Sequence, residues 1–597
     1  MKKILAFISV LAILITVPSW TVYQSHLEAG QTIKEAKCQL VQKRNNPYST
    51  MDDSIYVIKY QHKLPSMNIN GRNNGSYNNE EMGMPSLLTT KDTRLGEFIH
   101  QLRNVIFDDR RLVFIDGKIL MCSKNWIRDH VHEMKAFKHW EYDNESFLNF
   151  IIETQSDEGF FYELIKQYDD YHWKMVNEDC FILYPDDNLT LVRLELEADV
   201  EYLVVEGAMQ CYRVNGDKEW LKKILASLEK GIDYSTSSPK RWDAERGLVK
   251  RPFTIDTWDF TYNTDTNNRR IEDNTPMSIM HGDNSGVYQA MGYLSYFNRL
   301  LGNHKKAKEW DERAAELKRN MFKYLWNANY FIHQLHLNHN GADTLENVRL
   351  SLSNTYNMNR GVTNLEQSRA IIEEYIVRRE TTESFAEWFS IDPPYQNGFS
   401  GHPPGKYVNG AISPFAAGEL AKAAFNNGYE KYGWDIISRF IELMEHDKTI
   451  YFLYSPVDKT PQGGGPSAWG AAALMSAIDE GLAGIVDMDT GYKKISFSPR
   501  FVVTEYEELR YITGYEKTAT LVDTRFIITD KGMRYDIISP ATEIEAHILL
   551  PDNRQCNYLL VNSVKTPFKE VKIGDSRYLD VKVDSEELTT FEIIWED

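Results

Sequence analysis

Cysteine is scarce in this chain. Five residues in 597 (Cys38, Cys122, Cys180, Cys211 and Cys556) are odd in number and widely scattered. That spacing excludes a disulfide framework and a cysteine-rich metal cluster. The histidines lack an HExxH or comparable ligand spacing, so neither a metal nor a redox cofactor is expected. Positive charge is also short: 67 Lys and Arg against 86 Asp and Glu leave a formal net charge of -19. Such a surplus of acid argues against nucleic acid as the main partner. Long apolar runs are missing except for Ile4 to Val17, which follows Met1-Lys-Lys. This run is shorter than the ~20 residues of a typical spanning helix. It reads as a secretory signal, with an uncleaved N-terminal anchor as the alternative, and points to a secreted or periplasmic protein.

What the chain does have is aromatic residues, 12% of the total, with 13 Trp and 34 Tyr. Its length is too great for one ordinary domain. Residues 1–20 are the signal or anchor, and 21–120 read as a polar lead-in ending in a helix and a hairpin. The hairpin is signalled by Asp116-Gly117, which supplies the positive φ angles of a tight turn. From 121 to 485 helical periodicity dominates. Helices are expected at Glu145–Thr154, Leu189–Val214, Glu219–Thr236, Ser285–Leu301, Lys305–Trp326, Thr363–Arg378, Ala411–Asn427, Gly433–His446 and Ser467–Leu482, several of them stopping at glycine. Helices in pairs, joined by loops bearing Trp, Asp and Gly, imply a closed toroid of helical hairpins. Between 486 and 597 the texture changes to short β-branched and aromatic runs separated by turns, the pattern of a β-sandwich. The expected fold is therefore mainly α: an (α/α)6 toroid followed by an all-β sandwich.

The motif that carries chemistry is Trp258-Asp-Phe260. An indole covers the apolar face of a pyranose ring, and a neighbouring carboxyl can protonate a glycosidic oxygen. Next come His281-Gly-Asp-Asn284 at a helix start, Leu301-Gly302, the Ala-rich stretch 307–317 and Leu325-Trp-Asn327. Later stand Tyr407-Val-Asn-Gly410 and Gly463-Gly-Gly-Pro-Ser-Ala-Trp-Gly470. In this order they resemble the six-hairpin glycosidases, the (α/α)6 group that includes trehalase, glucoamylase and processing α-glucosidase. Asn125-Trp-Ile-Arg-Asp129 is similar to a sugar-binding motif of the glucoamylase-type members. The resemblance covers roughly 120–485. It implies a carbohydrate substrate and hydrolysis with inversion, by an acid and a base about 6.5–9.5 Å apart.

On this reading Asp259 is the general acid, with Asp256 as its rival. Trehalase-like enzymes carry a glutamate base before the Gly-rich turn. Here the segment 451–462 has only Asp458, which becomes the expected base, with Asp283, Glu387 and Glu419 as alternatives. Arg128 and Asp129 are expected to bind sugar hydroxyls, Trp126, Trp258 and Trp469 to act as ring platforms, and His281, Asp283, Asn284, Tyr407 and Asn409 to line the pocket. Core packing is the competing account for each tryptophan, and a helix-start ion pair for Arg128 and Asp129. Glu195, Glu197 and Asp199 alternate along a presumed helix, so most of them should face solvent. Three other functions stay open on the same fold: a glycan phosphorylase, a polysaccharide lyase and a non-catalytic glycan-binding protein.

Overall fold

The computed structural model describes residues 85–88, 92–169, 172–255, 258–260, 269–338 and 344–596. The apolar run Ile4 to Val17 lies outside them, as does Asp256. Twelve helices build the first unit: α1 Arg94–Asp108, α2 Ile127–Phe137, α3 Ser146–Glu153, α4 Val200–Asn215, α5 Lys218–Ser235, α6 His281–Leu300, α7 His304–Leu325, α8 Ser353–Asn359, α9 Leu365–Thr381, α10 Pro414–Asn426, α11 Glu430–Asp447 and α12 Ala468–Ser476. The even-numbered helices form a closed ring. Each packs on the next, and α12 returns to α2. The odd-numbered helices sit outside, α5 against α4 and α6, α7 against α6, α11 against α10.

The sequence explains which helix goes where. In α7 only Ala307, Trp310, Ala314, Leu317, Met321 and Leu325 are buried, a single stripe at three- and four-residue steps, so one face meets the ring and the other meets water. In α12 all of Ala468–Ser476 is buried. Such a helix has no polar face to expose and must sit inside. Glycine permits the closest approach: a Cβ on Gly418 of α10 would lie 2.4 Å from the carbonyl carbon of Ala473 in α12.

The bore of the ring is crossed by polar side chains. Lys135 on α2 pairs with Glu419 on α10, which also accepts from Asn359 Nδ2 on α8 at 2.6 Å. Deeper, Lys138 reaches Gln210 of α4 at 3.1 Å and Glu480, which follows α12, at 3.3 Å; Lys422 closes on the same Glu480.

The second unit is a pair of sheets. One has seven strands in the order Ser86–Leu88, Glu508–Tyr515, Thr520–Thr529, Gly532–Ile538, Leu588–Trp595, Cys556–Val561 and Val564–Thr566. The other has five: Ile485–Asp487, Lys494–Phe497, Glu543–Leu549, Ser576–Asp584 and Lys569–Ile573. The pairing of Ser86–Leu88 with Arg510–Ile512 ties the lead-in to this unit. The Asp116-Gly117 hairpin forms as expected, both residues at positive φ, between Arg110–Ile115 and Lys118–Ser123.

Three expectations are corrected. Described residues are 41% helix and 28% strand, so "mainly α" understates the sheets. The helix expected from Leu189 begins only at Val200; Leu189–Val192 is a strand and 193–199 is irregular. Helices α2 and α8 were not foreseen; α8 is polar in composition yet buried, with no apolar stripe against a polar face.

Gly418→Ala should cost about 1–3 kcal/mol through overpacking, seen as a lower thermal midpoint. Gly292→Ala, on an exposed face of α6 with nothing within 4 Å, should be neutral or stabilising by about 0.5–1 kcal/mol. Equal behaviour of the two variants would count against the close approach of α10 and α12.

Candidate active site

The inner helices all start at the same end of the ring, where their N-termini and preceding loops converge. Arg128, in the first turn of α2, is the centre of that end. Its Nε donates to Asp199 Oδ2, and Nη2 donates to Glu197 Oε2 at 2.7 Å and Asp199 Oδ1 at 2.9 Å. Glu197 is shared: Arg251 Nη2 reaches it at 3.1 Å, while Arg251 Nη1 reaches Asp283 Oδ1 at 3.3 Å. The run Asp199–Arg128–Glu197–Arg251–Asp283 therefore joins α2, the 193–199 loop, the strand Leu248–Pro252 and the start of α6. Glu163 stands beside it, its Oε2 4.0 Å from Arg128 Nη2. Glu195 accepts from Lys240 Nζ at 2.6 Å and Asn177 Nδ2 at 2.7 Å.

Burial and pairing pull these carboxyls apart. Burial opposes ionisation of Asp199, but the Arg128 guanidinium outweighs it and holds the group below its usual range. Glu163 has no such close cation. Burial dominates there, and its carboxyl is pushed up to about 8. One wall of the site thus carries both a fixed anion and a carboxyl that stays protonated at neutral pH.

An aromatic wall adjoins. His132, one turn along α2 from Arg128, stacks on Trp469 at 4.3 Å; Trp469 stacks on Phe415 at 4.5 Å, and Phe415 touches Phe452, which touches Tyr407. Trp126 is half-buried at the N-cap of α2, with the Arg128 guanidinium 5.9 Å from its ring.

A second polar cluster flanks the strand Thr254–Ile255. Glu346 is held by His333 Nδ1 and His336 Nε2, both at 3.1 Å, by Arg349 at 3.4 Å and by the Tyr395 hydroxyl. Burial works against its charge, yet these donors keep it well below the carboxylate range. Gln334 links the cluster to Tyr395 Oη at 3.0 Å and to the Thr254 carbonyl at 3.4 Å. Thr254–Ile255 in turn pairs with Trp258–Phe260. The backbone carrying Asp259 and Trp258 is therefore anchored to the site end; their side chains lie outside the described residues.

Arg128, Trp126 and Asp283 are brought together as expected, and Tyr407 joins them through the aromatic row. Several expected residues serve other ends. Asp129, one residue round the helix, feels Lys124 ahead of Arg128 and stands among the acids Asp109 and Glu133. Both ring nitrogens of His281 are engaged, by Ser351 Oγ at 2.9 Å and Asn357 Nδ2 at 2.8 Å. Asn284 is spent on the backbone of Val249 and Met280, and Asn409 on that of Tyr395 and His402. Trp469 is only 6% exposed and donates Nε1–H to Tyr356, so it packs the wall and offers little face to a sugar. Asp458, the expected base, lies on the exposed turn of the hairpin Tyr451–Tyr454/Pro461–Pro466, outside the enclosed cluster. Hydrogen bonds from Ser455 and Thr460 lower its carboxyl to about 2. Glu387 is taken by Arg439 and Tyr432, which makes it structural.

Sequence reasoning did not single out Glu163 or Arg251, and it set aside Glu195, Glu197 and Asp199. The last three acids are 4%, 3% and 0% exposed, not solvated as a helical reading required. The signal was present: in Leu194-Glu-Leu-Glu-Ala-Asp199 acids alternate with apolar residues just before a wholly buried helix.

Comparison with known proteins agrees with this architecture. Residues 254–387 match the trehalase family model. Among solved structures, the α-L-rhamnosidase of Dictyoglumus thermophilum aligns at 14% identity and a TM-score of 0.53, over 84% of this chain and 50% of the other. That of Streptomyces avermitilis, complexed with L-rhamnose, aligns at 13% identity and 0.50, over 85% and 42%. No curated protein matches the sequence. At these identities the structural likeness is one of fold, and this chain spans half or less of the length of either rhamnosidase. The resemblance to the six-hairpin glycosidases stands, carried by a trehalase-type segment within a toroid joined to a β-domain.

Removing the guanidinium in Arg128→Met strands two buried carboxylates, so it should cost about 3–5 kcal/mol. Denaturant unfolding at pH 7 checks this. Asp199 is depressed by Arg128, so its share of stability is present above the unfolded-state value and lost as pH falls through the lower folded one. The variant should therefore unfold in acid at a higher pH than the native protein.

Proposed function

We propose that the protein is a glycoside hydrolase that cleaves a glycosidic bond of an oligo- or polysaccharide by single displacement with inversion. One observation carries the reading. The six inner helices gather buried, ordered carboxylates and arginines at one end of the ring, beside the half-buried Trp126. Charged groups fixed in this way make directional hydrogen bonds to sugar hydroxyls in a dry pocket, and a half-buried indole offers its open face to the apolar face of the ring. The trehalase-type match spans the strand that bears Asp259 and supports that residue as proton donor to the departing oxygen. Asp458, though exposed and outside the enclosed cluster, is taken as the water-activating partner because no arginine among the described residues binds it. It is ionised, as a base must be, and stands on the hairpin whose Gln462 accepts from the Tyr407 backbone. The enclosed acids suit that role less: Glu197, Asp199 and Asp283 are all bound to arginine.

A screen of aryl glycosides and polysaccharides, with the product anomer read by NMR, tests the class and the stereochemistry. Asp259→Asn should lose at least ~100-fold in rate, and a loss under about tenfold would remove it as the acid. Asp458→Asn should be slow and regain turnover with azide, giving a glycosyl azide; unchanged turnover would move the base elsewhere. We also propose export, from the basic and apolar N-terminal residues. Cell fractionation with N-terminal sequencing of the mature protein decides it.

A further inference from the structure

Glu163 has no part in the displacement proposed above, yet it is a firmly placed carboxyl at the same end of the ring. Its backbone is pinned on both sides. Ile127 N donates to its carbonyl at 2.8 Å, and its own N–H donates to Val192 O at 3.0 Å. It therefore bridges the start of α2 and the strand Leu189–Val192. The side chain is 1% exposed. Oε1 accepts from Leu194 N at 2.7 Å, whereas Oε2 has no hydrogen-bond partner. The nearest guanidinium, that of Arg128, is 4.0 Å away and already committed to Asp199 and Glu197. A buried polar atom without a partner is costly and uncommon in a native fold.

We propose that Glu163 hydrogen-bonds a hydroxyl of the sugar lying against Arg128 and so acts as a specificity-determining residue of the site. This rests on the glycosidase reading. The groups facing Glu163 are Arg128 from α2 and Arg193, Glu197 and Asp199 from the adjoining loop. Burial is the largest influence among them and raises the carboxyl to about 8. At neutral pH Oε2 therefore carries a proton, and a protonated carboxyl is a donor as well as an acceptor. A hydroxyl answers both properties. An anion does not, because the neighbouring arginines Arg128 and Arg193 are already paired with carboxylates.

The test has one arm that needs no turnover. Infrared difference spectra of the full chain, native minus Glu163→Gln, should show a protonated-carboxyl band at pH 6 that disappears above about pH 8 and shifts when L-rhamnose, D-glucose or D-mannose binds. No band at pH 6, or a band unmoved by a sugar that calorimetry shows to bind, overturns the assignment. In kinetics with the aryl glycoside that the native protein cleaves best, Glu163→Ala should raise KM about 10–100-fold, the range for a stranded buried polar partner, with a smaller change in kcat. Glu163→Gln keeps a neutral donor, so it should hold KM within about threefold and abolish the fall in kcat/KM above pH 8. If Gln is as inactive as Ala with KM unchanged, Glu163 is itself the proton donor and the assignment fails. If the native protein turns over and Ala retains kcat/KM, this assignment alone falls. If no sugar binds and no glycoside is cleaved, the glycosidase reading falls and takes it along.

Discussion

The bidentate grip of Arg128 on Asp199, extended through Glu197 to Arg251 and Asp283, is the interaction on which the rest of the site depends. It ties the first turn of one inner helix to the entry loop of the next, to a strand and to the start of a third. None of these charges would be tolerated alone at such burial. Together they fix the spacing of the helix ends, and so they fix the shape of the space those ends enclose. Four segments draw their placement from the same contacts, which makes this end of the ring unforgiving of substitution.

The two walls divide the work. The charged wall offers direction: donors and acceptors held in place by partners that are themselves buried. The aromatic row from His132 to Tyr407 offers area, and Trp469 at its heart is spent on packing. Between the walls, the Glu346 cluster steadies the strand that precedes Trp258-Asp-Phe260. That motif thus stands on a braced strand, although its side chains lie outside the described residues.

Much of this was legible in the residues. The stripe of α7, the Asp116-Gly117 turn and the glycine stops at Gly216, Gly302 and Gly428 announced outer helices, hairpin and loops, because each is a local rule. The inner helices were harder. An element covered on all sides has no contrast between faces, so α8, polar in composition yet buried, gave no periodic signal. Arg128 and Asp283, picked out for their place in the motifs, both fall in the buried ion-pair network. The site was misread at His281, Asn284 and Asn409, where polar side chains close to a motif satisfy buried backbone or neighbouring side chains. The alternating acids of 194–199 were misjudged because a helix was assumed where the chain is irregular.

The salt-bridged column formed by Lys135, Glu419, Lys138, Lys422 and Glu480 has a consequence for traffic. A ring whose hole is stoppered at depth has a single door. Among the described residues this column crosses the ring, so on the proposed reading both fragments of a cleaved sugar would leave past Trp126 and Tyr407, the way the substrate came. On that reading, departure of product would compete with arrival of the next substrate at one shared rim.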